Sequence, residues 1–368
     1  MKIVFTGGGT AGHIFPIVAI VRELRNIYPG ADLKIYYAGP KDKHGEVLLS
    51  QESVKVKNIV CGKIRRYFSF KNITDVLKVP IGIIQSIFWL FFVAPDVVFS
   101  KGGYGSFPMA FAAGFLRVPF ILQESDISPG LASKITSKWA LEVFTSFPDT
   151  EYFPKDKTTC LGNPIRLSLL NGSKDEAKNI FDLHEKRPLL LILGGSSGSQ
   201  TINQLILEIL QDLLNTFEII HQTGIANQKQ VQAEAEVVIN KESKKYYHPF
   251  AFLNEKQLRH ALAACNLAIS RAGAGAIFEI TASNKPMILI PLMGSAQDHQ
   301  VKNAYKVAEY GAGEVIEEQN LKPHLFMQRL KALFTEPEIL LTMSQNSKNF
   351  SRPKATTIIA SYLNEYLT

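Results

Sequence analysis

The chain has 368 residues, of which 46% are hydrophobic and 20% charged; this excludes a disordered protein and exceeds what one ordinary core supports, so two domains are expected. The net charge of +7 is lopsided, with 19 Lys+Arg against 13 Asp+Glu in residues 1–164 and 21 against 20 in the remainder, so the first half is expected to meet something anionic. Three scattered cysteines (Cys61, Cys160, Cys265) exclude a disulfide framework and fit a reducing compartment.

The chain opens Met1-Lys2-Ile3-Val4-Phe5 and reaches glycines at residue 7, too early for a secretory apolar core. Short apolar or β-branched runs at residues 2–6, 33–38, 97–100, 119–122 and 142–146 read as strands, with helical patterns such as 14–27 and 107–116 between them. The alternation repeats in the second half. Strands are expected at 189–193, 218–223, 267–270, 286–291 and 313–316, and helices at 201–216, 255–265 and 299–309. Near-continuous apolar strands alternating with helices predict an α/β protein with parallel sheets covered on both faces. Leu161-Gly162-Asn163-Pro164 interrupts the pattern and reads as the domain boundary. A final amphipathic helix follows Pro353.

Each half begins with a strand running into glycines and then a helix: Gly7-Gly8-Gly9-Thr10-Ala11-Gly12-His13 in the first, Gly194-Gly195-Ser196-Ser197-Gly198-Ser199 in the second. Such loops let the backbone approach a ligand and offer a helix N-terminus to an anion. Either loop alone could also be a tight strand–helix turn. The first contains the Gly7-x-Gly9-x-x-Gly12 dinucleotide fingerprint, but the second strand ends Tyr37-Ala38-Gly39-Pro40-Lys41, without the ribose-binding acid that fingerprint needs.

Further along the first half, Lys101-Gly102-Gly103-Tyr104-Gly105-Ser106 and Gln123-Glu124-Ser125-Asp126 each follow a strand. His13, Tyr104, Glu124 and Asp126 should therefore converge on one rim of the first sheet. His13, near a helix N-terminus, is expected to stay neutral and available as a base, or else to cap the helix or orient substrate. Glu124 and Asp126 are either functional or caps for the helix that starts near Pro129. In the second half, Arg271-Ala272-Gly273-Ala274-Gly275 opens a helix that carries Glu279 among apolar neighbours. This suits a phosphate at Ala274 and Gly275 and a ribose at Glu279. The strand ending at Pro291 leads to Gln300, whose amide suits sugar hydroxyls.

Residues 79–94 are very apolar and follow Lys57, Lys63, Arg65, Arg66, Lys71 and Lys78. The stretch is too short to span a membrane, with Pro80 and Gln85 interrupting it, and it reads either as an interfacial helix or as one buried against the sheet through Phe88, Trp89, Phe91 and Phe92. No nucleic-acid module accompanies the basic excess, so an anionic membrane surface is the expected partner and nucleic acid is not.

Taken together, residues 7–13, 101–106, 124–130, 162–166, 194–198, 271–279 and 300–304 stand in the order found in the MurG family, and the chain resembles that family over nearly its whole length. The family comprises bacterial N-acetylglucosaminyltransferases that convert lipid I to lipid II. The resemblance implies a GT-B fold, two Rossmann-like doubly wound parallel-sheet domains facing a central cleft. Residues 1–163 would bind acceptor and membrane, 164–350 the UDP-sugar, and 351–368 would pack back on the first domain. It further implies that Thr10, Ala11 and Gly12 face the donor sugar and diphosphate, that Arg166 and Ser196 contact the donor, and that Phe252 and Leu253 cradle uracil. Glu279 would hold the ribose and Gln300 the sugar hydroxyls. Two departures are Gln123-Glu124-Ser125-Asp126, where many members have His-Glu-Gln-Asn, and His299-Gln300, where others have Gln-Gln.

The implied reaction inverts the anomeric centre of UDP-N-acetylglucosamine on transfer to lipid I, at the cytoplasmic face of the bacterial membrane. His13 is the favoured base, with Glu124 and Asp126 as rivals. No Asp-x-Asp motif or carboxylate cluster suggests a metal, and no cofactor is expected. Rival readings are another GT-B transferase, for instance one acting on diacylglycerol, and a non-catalytic nucleotide-sugar-binding subunit.

Overall fold

A strand covered on both faces must be apolar at successive positions, because its side chains alternate between two dry layers. The computed structural model describes residues 1–8, 11–29, 32–63, 70–148, 150, 152–195 and 198–367, the side chains of residues 11, 70–73 and 296 excepted. In its first strand Ile3 and Phe5 enter one core layer and Val4 the other, and none of the three is exposed.

The first compact unit holds Met1–Arg166 and Arg352–Thr368. Its elements are β1 (Lys2–Thr6), α1 (Ala11–Ile27), β2 (Lys34–Gly39), α2 (Lys43–Gln51), β3 (Lys55–Asn58), α3 (Phe70–Val93), β4 (Val97–Ser100), α4 (Phe107–Leu116), β5 (Phe120–Glu124), α5 (Leu131–Thr136), β6 (Glu142–Thr145) and β7 (Thr158–Cys160). Among the described residues the strands form one parallel sheet of seven, in the order β3-β2-β1-β4-β5-β6-β7.

The second unit, Leu167–Ser351, holds α6 (Lys174–Phe181), β8 (Leu189–Leu193), α7 (Gln200–Glu208), α8 (Leu210–Thr216), β9 (Glu218–Gln222), α9 (Gln228–Val238), β10 (Tyr247–Phe250), α10 (Glu255–Ala264), β11 (Leu267–Ser270), α11 (Ala274–Ala282), β12 (Met287–Leu289), α12 (His299–Glu309), β13 (Gly313–Val315), α13 (Pro323–Thr335) and α14 (Pro337–Phe350). Among the described residues its strands form one parallel sheet of six, in the order β10-β9-β8-β11-β12-β13. Leu190 and Ile192 of β8 pack with Leu210 and Leu213 of α8 and with Phe326 and Leu330 of α13. Both sheets reverse their winding direction at one place, between β1 and β4 and between β8 and β11. In doubly wound sheets ligands bind at the carboxyl ends of the strands beside that point.

The last helix, α15 (Ala355–Asn364), returns to the first unit. Ile359, Ala360 and Leu363 join the core built on α1, and full burial of each large aliphatic side chain contributes roughly 1.5–3 kcal/mol. The Thr356 hydroxyl donates to the Ile165 carbonyl at 2.7 Å and accepts from the Ile165 amide at 3.0 Å. These bonds hold residues 164–166 with the first unit, whereas the sequence reading gave them to the second.

Three further differences have physical causes. The edge strands β3, β7 and β10 carry no apolar run, and Pro249 inside β10 is tolerated because an edge strand has a side without ladder bonds. The expected helix at 201–216 divides at Ile209 (φ −118°, ψ 14°), a break that no Gly or Pro announces. Helix α3 runs through Pro80 and Gln85 for 24 residues, so the expected interruption and short span are both corrected. Pro80 lies on the exposed face, where water can take the carbonyl that its missing N–H leaves. Gln85 uses its amide outside the helix, accepting from Val60 N at 3.0 Å and donating to Asn58 O at 3.2 Å.

Candidate functional site

In the first unit, three loops meet at the carboxyl ends of β1, β4 and β5. Registration of Thr6 with Ser100 brings the loop after β1 beside the loop after β4, and the Lys101 amide donates to the Thr6 carbonyl at 2.8 Å. His13, half-buried in the first turns of α1, sets its Nδ1 3.3 Å from the Lys101 carbonyl. A carbonyl only accepts, so Nδ1 carries the proton and Nε2 is the basic nitrogen of the neutral ring. Gly103, at φ +80°, makes room for that ring: a Cβ there would lie 3.0 Å from His13 Cε1 and 3.1 Å from Nε2.

Glu124 ends β5 and is buried. Its Oε1 accepts from the Ser125 amide at 2.9 Å and the Asp126 amide at 3.3 Å, so it folds its own loop rather than capping a helix. The helix that follows, α5, has Gly130 as its N-cap, so neither acid is its N-cap residue. Burial, reinforced by the charge of Asp126, raises the Glu124 pKa well above the usual carboxylate range. Tyr104 is partly exposed on the same rim, with Lys63 Nζ 5.7 Å from its ring centroid. The structure therefore brings His13, Tyr104, Glu124 and Asp126 to one rim. Gly12 is exposed beside them, and Ala11 begins α1; Thr10 lies outside the described residues. Where the dinucleotide fingerprint wants an acid, Tyr37 instead donates its hydroxyl to the Gly7 carbonyl at 3.2 Å. Arg166 is buried in this unit, its guanidinium carbon 4.3 Å from the Phe15 ring centroid.

In the second unit, registration of Leu193 with Ser270 places the glycine loop after β8 beside the turn that opens α11. Gly198 (φ +79°) cannot carry a side chain, since a Cβ would lie 2.2 Å from the Thr223 carbonyl. Ser199 caps α7 by accepting from Ile202 N at 3.3 Å, and Arg271 donates to its hydroxyl at 2.7 Å while pairing with Glu318 at 2.5 Å. Ser196 lies outside the described residues. Helix α11 starts from Gly273, an N-cap with no side chain to satisfy its first N–H groups, and among the described residues a Cβ at Gly273 or Gly275 would meet nothing within 4 Å. Backbone N–H groups at an open helix N-terminus suit a diphosphate. Ala274 is buried at that turn, and Glu279 sits half-buried on α11 between Phe278 and Ile280, both buried.

Two expectations here are refined. Phe252 is 38% exposed, but Leu253 is 2% exposed and its amide is taken by Gln222 Oε1 at 3.0 Å, so of the pair only Phe252 offers a ring face. Gln300 accepts the Leu292 amide at 3.0 Å through Oε1, which leaves Nε2 as the donor end for a ligand.

Two residues that the sequence reading passed over matter here. Gln222, buried at the end of β9, ties the Gly195 carbonyl (3.0 Å) to the Leu253 amide and so couples the glycine loop to the Phe252 segment. Lys101 is fully buried beneath the first rim; a lysine directly after an all-buried strand and before two glycines was its only signal.

Residues 3–145 match the N-terminal domain of glycosyltransferase family 28, and residues 189–358 its C-terminal domain. A UDP-N-acetylglucosamine–N-acetylmuramyl-(pentapeptide) pyrophosphoryl-undecaprenol N-acetylglucosamine transferase of Treponema denticola is 36% identical over 386 residues, covering 100% of this chain and 98% of its own length. The protein of the same name from Clostridium tetani is 36% identical over 369 residues with the same coverage. Among solved structures, Acinetobacter baumannii MurG superposes with a TM-score of 0.76 at 22% identity, covering 99% of both chains. A UDP-GlcNAc 2-epimerase from Neisseria meningitidis follows the same fold, with a TM-score of 0.67 at 17% identity, covering 99% of this chain and 100% of its own.

Proposed function

The chain belongs to glycosyltransferase family 28 and, within it, to the MurG transferases, and on that footing we propose that it transfers N-acetylglucosamine from UDP-N-acetylglucosamine to the muramyl sugar of undecaprenyl-pyrophosphoryl-N-acetylmuramyl-pentapeptide, lipid I, giving lipid II. The observation that carries this reading is full-length similarity to transferases of that name in a chain that has both rims.

The two rims divide the chemistry. On the second unit, the open N-terminus of α11 at Gly273, Ala274 and Gly275 receives the diphosphate. Glu279 accepts from the ribose, Phe252 covers the uracil and Gln300 Nε2 donates to a sugar hydroxyl. As the sugar C1–O bond breaks, negative charge grows on the leaving UDP, and helix N–H groups that are already oriented stabilise it without reorganising. Thr10, Ala11, Gly12, Arg166 and Ser196 complete the donor contacts. On the first unit, His13 Nε2 takes the proton of the acceptor hydroxyl as that oxygen attacks C1, so an α-linked donor gives a β-linked product. Glu124 and Asp126 shape the acceptor loop beside it, and Tyr104 lines its edge.

The protein acts as a peripheral enzyme at the cytoplasmic face of the membrane. The stretch Thr74–Val93 has mean hydropathy 2.0, and only 17% of its apolar window is buried. Leu77, Ile81, Ile84, Phe88, Phe91 and Phe92 form an exposed stripe at helical spacing, and Phe92 is 78% exposed. Burial of Phe88, Phe91 and Phe92 against the sheet is thus ruled out as the source of the apolar pattern; Trp89 and Leu90 are the ones that turn inward, with Trp89 edge-on to Tyr36 at 5.9 Å. A stripe of this kind inserts into the headgroup boundary while the opposite face stays on the protein. Arg65 and Arg66 of the basic flank lie outside the described residues.

The test is UDP release by the purified protein with UDP-N-acetylglucosamine, with and without a short-chain lipid I analogue. Acceptor-dependent release with a β-linked disaccharide product is expected. Release that ignores the acceptor, or none with either, contradicts the reading.

A further inference from the structure

A lysine ammonium is among the most expensive groups to bury, and Lys101 has no exposed surface. Such a group persists only where its partners use it. Its Nζ donates to the Ser125 hydroxyl and, at 3.1 Å, to Asn163 Oδ1. Ser125 also donates to Asn163 Oδ1 at 3.2 Å, which closes the triangle. The Lys101 backbone carbonyl, at the opposite end of that residue, accepts from His13 Nδ1. Gly102 and Gly103, both at positive φ (+71° and +80°), turn the chain so that the carbonyl faces α1 while the side chain runs under the end of β5.

We propose that Lys101 is a positioning residue for the transfer reaction: one end fixes the tautomer and ring of His13, and the other pins the Glu124–Ser125–Asp126 loop through Ser125 and Asn163. The inference rests on the roles proposed above for His13 and that loop. Lys101 cannot itself touch substrate, because nothing of it reaches solvent.

The electrostatics agree with the geometry. Among the described residues, the titratable groups facing Lys101 are His13 from α1, Glu124 at the end of β5 and Asp126 after it; the turn after β7 brings Asn163, which does not titrate. Burial lowers the Lys101 pKa, and the two carboxylates oppose that shift. Reciprocally, the Lys101 charge holds Glu124 lower than burial alone would. Replacing the ammonium by a neutral side chain of similar length therefore makes Glu124 harder to ionise and loosens the loop.

The experiment follows the Glu124 carboxyl by carbon NMR in glutamate-labelled full-length protein, with E124Q identifying the signal, in the wild type and in K101M. The titration midpoint is expected to rise by about one pH unit in K101M, a tenfold change in the ratio of ionised to neutral carboxyl. With the lipid I analogue, K101M should lose about tenfold or more in turnover at neutral pH, with UDP affinity unchanged. An unmoved midpoint together with wild-type turnover overturns the proposal; so does a loss of UDP affinity equal to the loss of turnover, the mark of a merely structural lysine. If K101M does not fold, K101M/E124Q, which removes both buried charges, is compared with E124Q. Equal turnover is expected when Lys101 acts through that loop, and a further independent loss overturns it. The NMR titration needs no substrate, so a wild type that transfers no sugar would sink the proposed reaction while this measurement still decides for Lys101.

Discussion

The two sheets share a winding order, and each places its loops at the same point, yet the rims differ in kind. The first gathers groups that gain or lose protons: His13, Lys101, Glu124 and Asp126 within one set of loops. The second rim holds two of its ionisable groups in fixed, unreactive roles. Arg271 is paired with Glu318, and His221 is buried between Tyr247 and Asn203, with burial lowering its pKa to about 3, so it stays neutral. What the second rim offers is backbone: a helix start whose N-cap, Gly273, has no side chain to cap it, and open space around Gly273 and Gly275. On the proposed reading, proton chemistry belongs to the first rim and anion binding to the second.

The largest expected effect breaks that division at its catalytic end. H13A should lower turnover by ~10²–10⁴-fold and leave UDP affinity by calorimetry unchanged. Near-normal turnover would move the base to Glu124 or Asp126.

The next concerns the face that meets the acceptor's lipid. F91S/F92S should reduce binding to anionic vesicles in co-sedimentation, since full transfer of each ring from water contributes roughly 1.5–3 kcal/mol. Turnover on a short-chain acceptor should be unaffected. Vesicle binding that ignores the double substitution would return α3 to an ordinary surface role.

At the binding end, E279A should weaken UDP affinity by ~1–3 kcal/mol, the usual cost of an unmet polar group, with turnover at saturating donor nearly preserved. A loss confined to turnover would blur the two rims.

The smallest effect is on stability. Glu124 has a folded pKa raised by burial, so its contribution is fully present below the ordinary glutamate range and lost as pH rises through the raised value. Denaturant midpoints of the wild type should fall across that window, and those of E124Q should be flatter. A wild-type profile as flat as that of E124Q would mean that Glu124 titrates normally.

Much of this was legible in the sequence, for identifiable reasons. The central strands announce themselves because two-sided burial forces apolar runs such as Val97–Ser100, and strand ends followed by glycines mark the rims. The edge strands were invisible because exposure lets them be polar, as in Lys55–Asn58. Apolarity alone could not say whether the residues of α3 face the sheet or solvent: Phe88 and Leu90 are equally hydrophobic and lie on opposite faces, 61% and 1% exposed. Lys101 and Gln222 were missed because their roles come from partners distant in sequence, Asn163 at 62 residues and Leu253 at 31.

The most direct measurement of the division between rims is hydrogen exchange of the full-length protein with UDP alone and with a short-chain acceptor analogue alone. UDP should slow exchange in peptides covering residues 194–199 and 271–279, and the acceptor in those covering 101–106 and 123–130. UDP protection confined to the first unit, or acceptor protection confined to the second, would contradict the account.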